Sequence, residues 1–357
     1  MPFITHKNGE KTHYLDDDFA DPWKPHETIL IQHGFGRHSA FWYHWIPVLA
    51  KDYRVIRRDA RGHGYSSAPG KDYKYDIDTI LDEIVDTLDQ LELEKVHYIG
   101  ESTGGIWGEF LAARNPERLH SLAICSSPLY MPAAAQDMLA FGKSSWPDAC
   151  RELGSRGWGQ EVMKVLGADQ LPDKKYLEWW LDQVSVPSGE SLGDHAELLC
   201  DKSFDARRIM ENIKVPMLML TPGNSKLVDL DEQKQLRDAV TNARMEVVTG
   251  VGHEIYIDQA EQCQKKYLAF LKAIERSLEL LEHQTIFSYR AAETRCELIS
   301  LQQTQFFAEL FVQDPLRPKH VQDLRSTSAV TEVCSVFPHL TRIGLILYRL
   351  LKRIFNI

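Results

Sequence analysis

The sequence predicts an α/β protein with a mostly parallel central sheet, helices on both faces and an inserted helical segment. Between residues 27 and 125, short apolar runs alternate with longer runs that have helical spacing. The alternation stops over residues 131–212, which are helix-like, and resumes at residue 215. Strands that alternate with helices form parallel sheets, because each helix returns the chain to the starting edge of the sheet.

Segments of the first half support this fold class one by one. Residues 27–34 (ETILIQHG) and the run from Tyr53 (YRVIRRDARG) are short, apolar and end in turns. The strand-like runs from Lys95 (KVHYIGES) and Leu119 (LHSLAICSSP) flank a helix-like stretch. Residues 77–93 form the preceding helix, because apolar side chains recur there at helical spacing. These side chains are Ile77, Ile80, Leu81, Ile84, Val85, Leu88 and Leu91.

The domain organisation follows from the break in this pattern. Residues 1–130 are interpreted as the first part of a sheet core, and 131–212 as a helical cap over the strand ends. Residues 213–283 resume the core with the strand VPMLMLTP, the helix DEQKQLRDAV and the strand ARMEVVTGVGHE. Residues 284–357 are a C-terminal extension without a place in the sheet. The cap is rich in tryptophan, which predicts either an apolar pocket or packing of the cap on the sheet.

The C-terminal extension ends in an amphipathic, basic segment, HLTRIGLILYRLLKRIFNI, over residues 339–357. Such a helix can lie on a membrane surface. The alternative is a helix packed on the domain or a loosely held tail.

Composition excludes some classes of function. The formal net charge is −10 at pH 7, whereas nucleic-acid binding needs a basic surface. The N-terminus has no apolar run of signal-peptide length, and no stretch reaches the roughly 20 apolar residues of a membrane span. The six cysteines are scattered, without metal-ligand spacing. We therefore expect a cytoplasmic protein that needs neither a metal nor an organic cofactor; the oligomeric state is left open.

The pentapeptide Gly100-Glu101-Ser102-Thr103-Gly104 follows a predicted strand and precedes a predicted helix. This is the context that the G-x-S-x-G nucleophile turn requires. A sharp strand-to-helix turn forces an unusual backbone conformation at the serine and leaves no room for side chains at the flanking positions, which are therefore glycine. The alternative is an ordinary turn with a capping serine, because so short a motif occurs by chance.

Further motifs close the neighbouring strands. His33-Gly34-Phe35-Gly36 follows the first strand, where a backbone N–H can stabilise a developing oxyanion together with one at the start of the helix. We assign these donors to Phe35 and Thr103. The segment DARGHGYS over residues 59–66 closes the next strand, and Gly250-Val251-Gly252-His253 closes the last one, where a histidine can reach over the sheet.

With these motifs in this order, the chain resembles the α/β-hydrolase superfamily over roughly residues 10–275, in particular its capped ester and enol-lactone hydrolases. The resemblance implies the α/β-hydrolase fold, with Ser102 as the nucleophile and His253 as the general base. Asp59 and Arg61 match a loop that is usually structural in this superfamily. His33, His38 and His63 are accordingly interpreted as architectural or pocket-lining residues.

The third member of a catalytic triad departs from the family pattern. Where the family has an aspartate, the loop after VPMLMLTP carries Ser225 or Lys226. Asp229 is the nearest acid in the loop and is our candidate, with Asp231 next. Either aspartate can instead cap the following helix. Asn224, Ser225 or a backbone carbonyl are the alternatives, and Glu101 is interpreted as a second-layer or pocket residue.

The resulting functional hypothesis is an esterase or lactonase. It predicts hydrolysis of a small to medium, partly apolar metabolite through an acyl-enzyme on Ser102. The fold also hosts carbon–carbon bond hydrolases and acyltransferases, and a fold alone does not determine a reaction. A catalytically degenerate ligand-binding protein is the remaining alternative.

Overall fold

A computed structural model describes residues 2–70, 73–167, 173–250 and 252–277. The described residues belong to one compact unit, Met1–Ser277. The expectations for residues 284–357, including the amphipathic segment, lie outside the described residues. Within the described part of the chain, no helix has the length and apolar character needed to cross a bilayer.

An eight-stranded sheet forms the centre, in the order β1-β2-β4-β3-β5-β6-β7-β8. Strands β1 and β2 pair antiparallel with each other, β2 pairs antiparallel with β4, and all other neighbours are parallel. The predicted mostly parallel α/β fold is therefore confirmed. The strands are β1 Phe3–Thr5, β2 Lys11–Asp17, β3 Thr28–Gln32, β4 Arg54–Arg58, β5 Val96–Glu101, β6 Leu119–Cys125, β7 Met217–Pro222 and β8 Ala243–Val248.

The central strands are apolar along most of their length because helices and loops cover them. Every residue of β3, β5 and β7 is buried, so these strands show continuous apolar runs rather than alternation. The edge strand β8 is partly exposed. The antiparallel strands β1 and β2 were not expected from the sequence, because β1 has only three residues and β2 is mostly polar and charged.

Among the described residues before β6, three α-helices lie between the core strands, and the two longer ones match the sequence pattern. They are α1 Ile46–Leu49, α2 Ile77–Gln90 and α3 Thr103–Arg114. Helix α2 begins where the Asp76 side chain accepts a hydrogen bond from the Thr79 N–H. After β7 come α8 Leu230–Ala239, α9 Ile255–Asp258 and a helical stretch over residues 260–277.

Between β6 and β7 the described residues form no strand, and the longer segments of regular structure are α-helices. They are α4 Ala133–Leu139, α5 Trp146–Leu166, α6 Lys174–Val184 and α7 Gly189–Cys200. Helix α5 is interrupted at Gly154, where φ is 68°. These helices fall within the segment that the sequence predicted as a cap.

Asp59 ties the loop after β4 to its surroundings. Its fully buried carboxylate accepts hydrogen bonds from the N–H groups of Ser39 (2.7 Å) and Tyr65 (3.1 Å), and its Oδ2 lies 2.7 Å from Nδ1 of His13. Burial by itself would raise the pKa of Asp59. The hydrogen bond with His13, the nearby imidazoles and the Ser39 N–H together hold this pKa well below its usual range.

Replacing Asp59 by alanine removes the acceptor of these groups and leaves them buried without a partner. We expect Asp59→Ala to lower the free energy of unfolding by about 3 kcal/mol or more. Asp229→Ala is the matched control, because that exposed aspartate only caps a helix, and it should cost about 1 kcal/mol. Urea unfolding of both variants measures the difference, and equal losses would contradict the role of Asp59.

Candidate active site

Ser102 occupies the turn between β5, which ends at Glu101, and α3, which begins at Thr103. Its backbone has φ 51° and ψ −121°, a conformation that costs a non-glycine residue about 1–3 kcal/mol. The Ser102 N–H donates to the Cys125 carbonyl at 2.9 Å, which holds the turn against the end of β6. The strained backbone predicted at this position is therefore present.

The two flanking glycines of the motif are needed for close backbone packing. A Cβ on Gly100 would lie 2.3 Å from the Gly104 carbonyl oxygen, and a Cβ on Gly104 would lie 2.5 Å from the His33 carbonyl oxygen. Neither backbone atom can move without displacing the turn or the end of β3. The motif thus has the steric basis that the sequence suggested.

His253 lies in the loop after β8, with 3% of its surface exposed. Its Nδ1 is 3.0 Å from the Ser225 hydroxyl oxygen, and its Nε2 has no hydrogen-bond partner among the described residues. The His253 N–H donates to the Leu166 carbonyl at the end of α5. Burial, together with the positive charge of Arg37, lowers the pKa of His253 to about 3, so the imidazole is neutral at physiological pH.

The structure does not bring the predicted triad acid Asp229 to His253. Asp229 is exposed, and its Oδ1 accepts hydrogen bonds from the N–H groups of Asp231 and Glu232, both at 2.9 Å, as the N-cap of α8. The first N–H groups of a helix have no acceptor within the helix, and the Asp229 carboxylate supplies one. Of the alternatives considered, Ser225 is the side chain at Nδ1.

Glu101 is more closely involved in the site than its sequence position indicated. Its side chain is 3% exposed. Its Oε2 accepts a hydrogen bond from the Gly34 N–H at 2.8 Å, and its Oε1 lies 3.8 Å from Nε2 of His253. Burial raises the pKa of Glu101 to about 8; Arg37 opposes this rise and Glu254 adds to it. The sequence alone could not reveal this contact, because it depends on the path of the His253 loop.

Arg37 and Glu254 form a buried ion pair next to these groups. The Arg37 guanidinium lies 2.7 Å from Oε1 of Glu254, and both side chains are almost fully buried. Trp180 of α6 donates its indole N–H to Oε2 of Glu254 at 3.0 Å, and its ring lies 4.3 Å from the guanidinium carbon. The pair therefore connects the loop after β3, the start of α9 and the helical insertion. No sequence motif marked it.

A narrow cavity of about 30 Å³ lies over Ser102. Ser102, Glu101, Arg37 and His253 line its polar side. The remaining lining residues are apolar or aromatic, apart from the Thr103 hydroxyl, and include Phe35, Met131, Leu139, Trp146, Trp158, Val162, Leu166 and Leu227.

The two predicted oxyanion donors lie at this cavity. Thr103 is the first residue of α3, where an N–H has no acceptor within the helix. Phe35 follows the Gly34 N–H that binds Glu101, and its ring packs edge-on against Trp146 and Trp158 of α5 at 4.6 and 5.1 Å. Both residues therefore line the cavity over Ser102, and the assignment of their N–H groups as oxyanion donors stays a prediction.

The other motif histidines lie in buried polar contacts behind the cavity. His33 has Nδ1 2.7 Å from the Gly34 carbonyl oxygen, and its Nε2 accepts from the Ala60 N–H at 2.8 Å. His63 has Nδ1 3.1 Å from the Arg61 carbonyl oxygen, and its ring lies 4.5 Å from that of His195 on α7. In the part of the chain that the structure describes, no group of three potential ligand side chains could hold a metal ion.

With the fold and this geometry established, comparison with known proteins identifies the family. Residues 27–260 match the model of the alpha/beta hydrolase fold family, and the chain belongs to that family. It is 27% identical over 241 residues to a pimeloyl-[acyl-carrier protein] methyl ester esterase of Aeromonas hydrophila, covering 66% of this chain and 91% of the esterase.

Two further matches are a hydrolase and a solved structure. A 2-hydroxymuconate semialdehyde hydrolase of a Pseudomonas species is 39% identical over 102 residues, which is 28% of this chain and 36% of that enzyme. The crystal structure of the enol-lactonase from Burkholderia xenovorans superposes with a TM-score of 0.65 at 23% identity, covering 76% of this chain and 100% of the lactonase. The structural likeness supports the fold alone.

The neutral state of His253 can be measured by histidine NMR. We expect its imidazole signals not to titrate above about pH 4, because burial and Arg37 disfavour the imidazolium. His26 is the internal control, because hydrogen bonds to the Lys24 carbonyl and to Asp18 raise its pKa above the usual value. A His253→Ala variant assigns the signal, and titration of His253 near pH 6.5 would contradict the buried, neutral state.

Proposed function

We propose that the protein is a serine hydrolase that cleaves an ester or lactone of a small to medium, partly apolar metabolite through an acyl-enzyme on Ser102. One observation carries this proposal: Ser102, in its strained turn, lines the same cavity as His253, whose Nδ1 is engaged by Ser225 and whose Nε2 is unpartnered among the described residues. A nucleophile, a neutral base and an orienting group are the parts that acyl transfer requires.

In the proposed reaction His253 takes the Ser102 proton at Nε2 while Oγ attacks the carbonyl carbon. The N–H groups of Phe35 and Thr103 stabilise the oxyanion. The protonated His253 then donates its proton to the leaving oxygen. In the second half of the reaction His253 takes a proton from water, the water oxygen attacks the acyl carbon, and His253 returns the proton to Oγ of Ser102. The neutral state of His253, with its pKa lowered to about 3, keeps the base form available.

The lining of the cavity supports a partly apolar acyl group. Its aromatic and aliphatic residues come from the loops after β3, β6 and β7 and from helices α4 and α5, and they offer few hydrogen-bond partners. A cavity of about 30 Å³ is small for a medium-sized substrate, so the proposal includes an opening of the site when substrate enters. In this proposal residues 131–212 serve as the cap. The name of the methyl ester esterase relative also favours an ester.

Carbon–carbon bond hydrolysis and acyl transfer to another alcohol can use the same nucleophile. A screen of the reaction products distinguishes these reactions from ester hydrolysis. The proposal for a degenerate, ligand-binding protein has one supporting observation, which is the hydroxyl of Ser225 at the position where the family has a carboxylate. Two observations favour catalysis instead: Nε2 of His253 has no hydrogen-bond partner among the described residues, and Ser102 lines the cavity.

The direct test is labelling with a fluorophosphonate probe, beside turnover of short and medium p-nitrophenyl esters. Labelling and turnover in the wild type that are absent from a folded Ser102→Ala variant would support the serine hydrolase. No labelling of the folded wild type would sink the catalytic proposal and favour ligand binding in the same cavity.

The orienting role of Ser225 gives a second prediction. Ser225→Ala removes one hydrogen bond to His253 and should lower kcat/KM by about 3- to 10-fold, since such a bond contributes about 1 kcal/mol. Asp229→Asn should retain wild-type kcat/KM, because that side chain caps α8 and does not contact His253. Steady-state kinetics with one p-nitrophenyl ester compare the two, and a larger loss in Asp229→Asn would restore Asp229 as the triad acid.

A further inference from the structure

The proposed mechanism leaves a charge without a partner at the Nδ1 edge of His253. In Ser–His–Asp enzymes a carboxylate at Nδ1 orients the imidazole and stabilises the imidazolium that forms during the reaction. Ser225 provides the orienting hydrogen bond, but a hydroxyl carries no charge. Burial and the nearby Arg37 both disfavour a protonated His253. A negative charge from another direction would therefore stabilise the imidazolium and raise the rate.

Glu101 supplies a carboxyl group at the opposite edge of the ring. Its Oε1 lies 3.8 Å from Nε2 of His253, and both side chains are 3% exposed. The hydrogen bond from the Gly34 N–H to Oε2 fixes the orientation of the carboxyl group. In a water-poor environment two charges at this distance interact far more strongly than in bulk water.

Other charged and titratable groups also face Glu101, and most of them are either paired with an opposite charge or neutral. Arg37, from the loop after β3, is paired with Glu254 at the start of α9. Burial raises the pKa of the Cys125 thiol and of the Tyr256 hydroxyl well above their usual values, so both stay neutral. Among the described residues, the groups that interact with Glu101 include Arg37, Cys125, His253, Glu254 and Tyr256.

We propose that ionised Glu101 acts through His253 as the counter-charge of its imidazolium, from the Nε2 edge, in place of a carboxylate at Nδ1. This inference rests on the proposed acyl transfer on Ser102. As Oγ of Ser102 bonds to the carbonyl carbon, its proton passes to Nε2 of His253 and the carbonyl π electrons move to oxygen. Glu101 stays a carboxylate and takes no proton. When the acyl–oxygen bond breaks, the proton leaves Nε2 for the leaving oxygen.

The ionisation of Glu101 gives this role a characteristic pH dependence. Burial raises its pKa to about 8, so the carboxyl group is neutral below that pH and charged above it. Only the charged form stabilises the imidazolium. Wild-type kcat/KM should consequently rise as the pH increases through about 8, whereas His253 itself is neutral across this range.

Glu101→Gln removes the charge and keeps an oxygen that can accept from the Gly34 N–H. We expect its kcat/KM to be lower than that of the wild type by about 100-fold at about pH 9, and the difference to narrow toward about pH 6 as wild-type Glu101 becomes neutral. Rates are followed with a p-nitrophenyl ester at the isosbestic point of the product, and fluorophosphonate labelling rates provide a second readout of acylation.

Glu109→Gln is the matched control. Glu109 is also fully buried, lies on α3 and has a pKa raised well above its usual range by burial, but it does not line the cavity. The pH profile of this variant should follow that of the wild type. Thermal unfolding of all variants shows that differences in rate do not come from unfolded protein.

Restoring a carboxylate at the other edge tests whether the charge itself matters. Ser225→Asp places an acid beside Nδ1 of His253. In the Glu101→Gln background it should raise kcat/KM by about 10-fold or more at about pH 9. The increase should be smaller in the wild-type background, where Glu101 already supplies the charge.

The outcomes separate this inference from the proposed function. The role of Glu101 is supported if kcat/KM of Glu101→Gln no longer rises near pH 8 and if Ser225→Asp restores kcat/KM in that background. A Glu101→Gln profile parallel to that of the wild type, or a profile that Glu109→Gln changes equally, would overturn it while labelling of Ser102 still supports the hydrolase. A folded wild type that neither labels nor turns over would instead overturn both.

Discussion

The site depends on one constraint in the backbone, the turn at Ser102. At φ 51° the chain passes from β5 to α3 within a single residue, and the hydrogen bond from its N–H to the Cys125 carbonyl anchors it to β6. The same turn directs the neighbouring Glu101 side chain to the Gly34 N–H at the end of β3. Nucleophile, buried carboxyl group and helix N-terminus thus come together because three parallel strands end at the same edge.

The electrostatics of the cavity follow from burial rather than from the number of charges. Arg37 and Glu254 neutralise each other, and the loss of water shifts the pKa of His253 down and that of Glu101 up. Each of these two groups is thereby neutral near neutral pH. Groups whose pKa values are displaced by their surroundings are typical of catalytic sites, although structural ion pairs also produce such shifts.

Much of this arrangement could be predicted from the sequence. The G-x-S-x-G turn and the elements around it could be predicted because they are local sequence patterns. Strands β5 and β6 and helix α2 begin within a few residues of the predicted bounds. The sequence predicted that Asp229 orients His253, but the structure has Asp229 as the N-cap of α8. Sequence alone cannot distinguish a carboxylate that caps a helix from one that makes a long-range contact. Likewise the Glu101–His253 and Arg37–Glu254 contacts join residues more than a hundred positions apart.

The central claim is that the chemistry proceeds through a covalent intermediate on Ser102. Rapid quenching after mixing with a slowly hydrolysed p-nitrophenyl ester, followed by mass spectrometry of the peptides, measures this directly. An acyl-enzyme mechanism predicts a burst of p-nitrophenol and the mass of the acyl group on the peptide that contains Ser102. Steady turnover without a burst, and with that peptide unmodified, would contradict the mechanism.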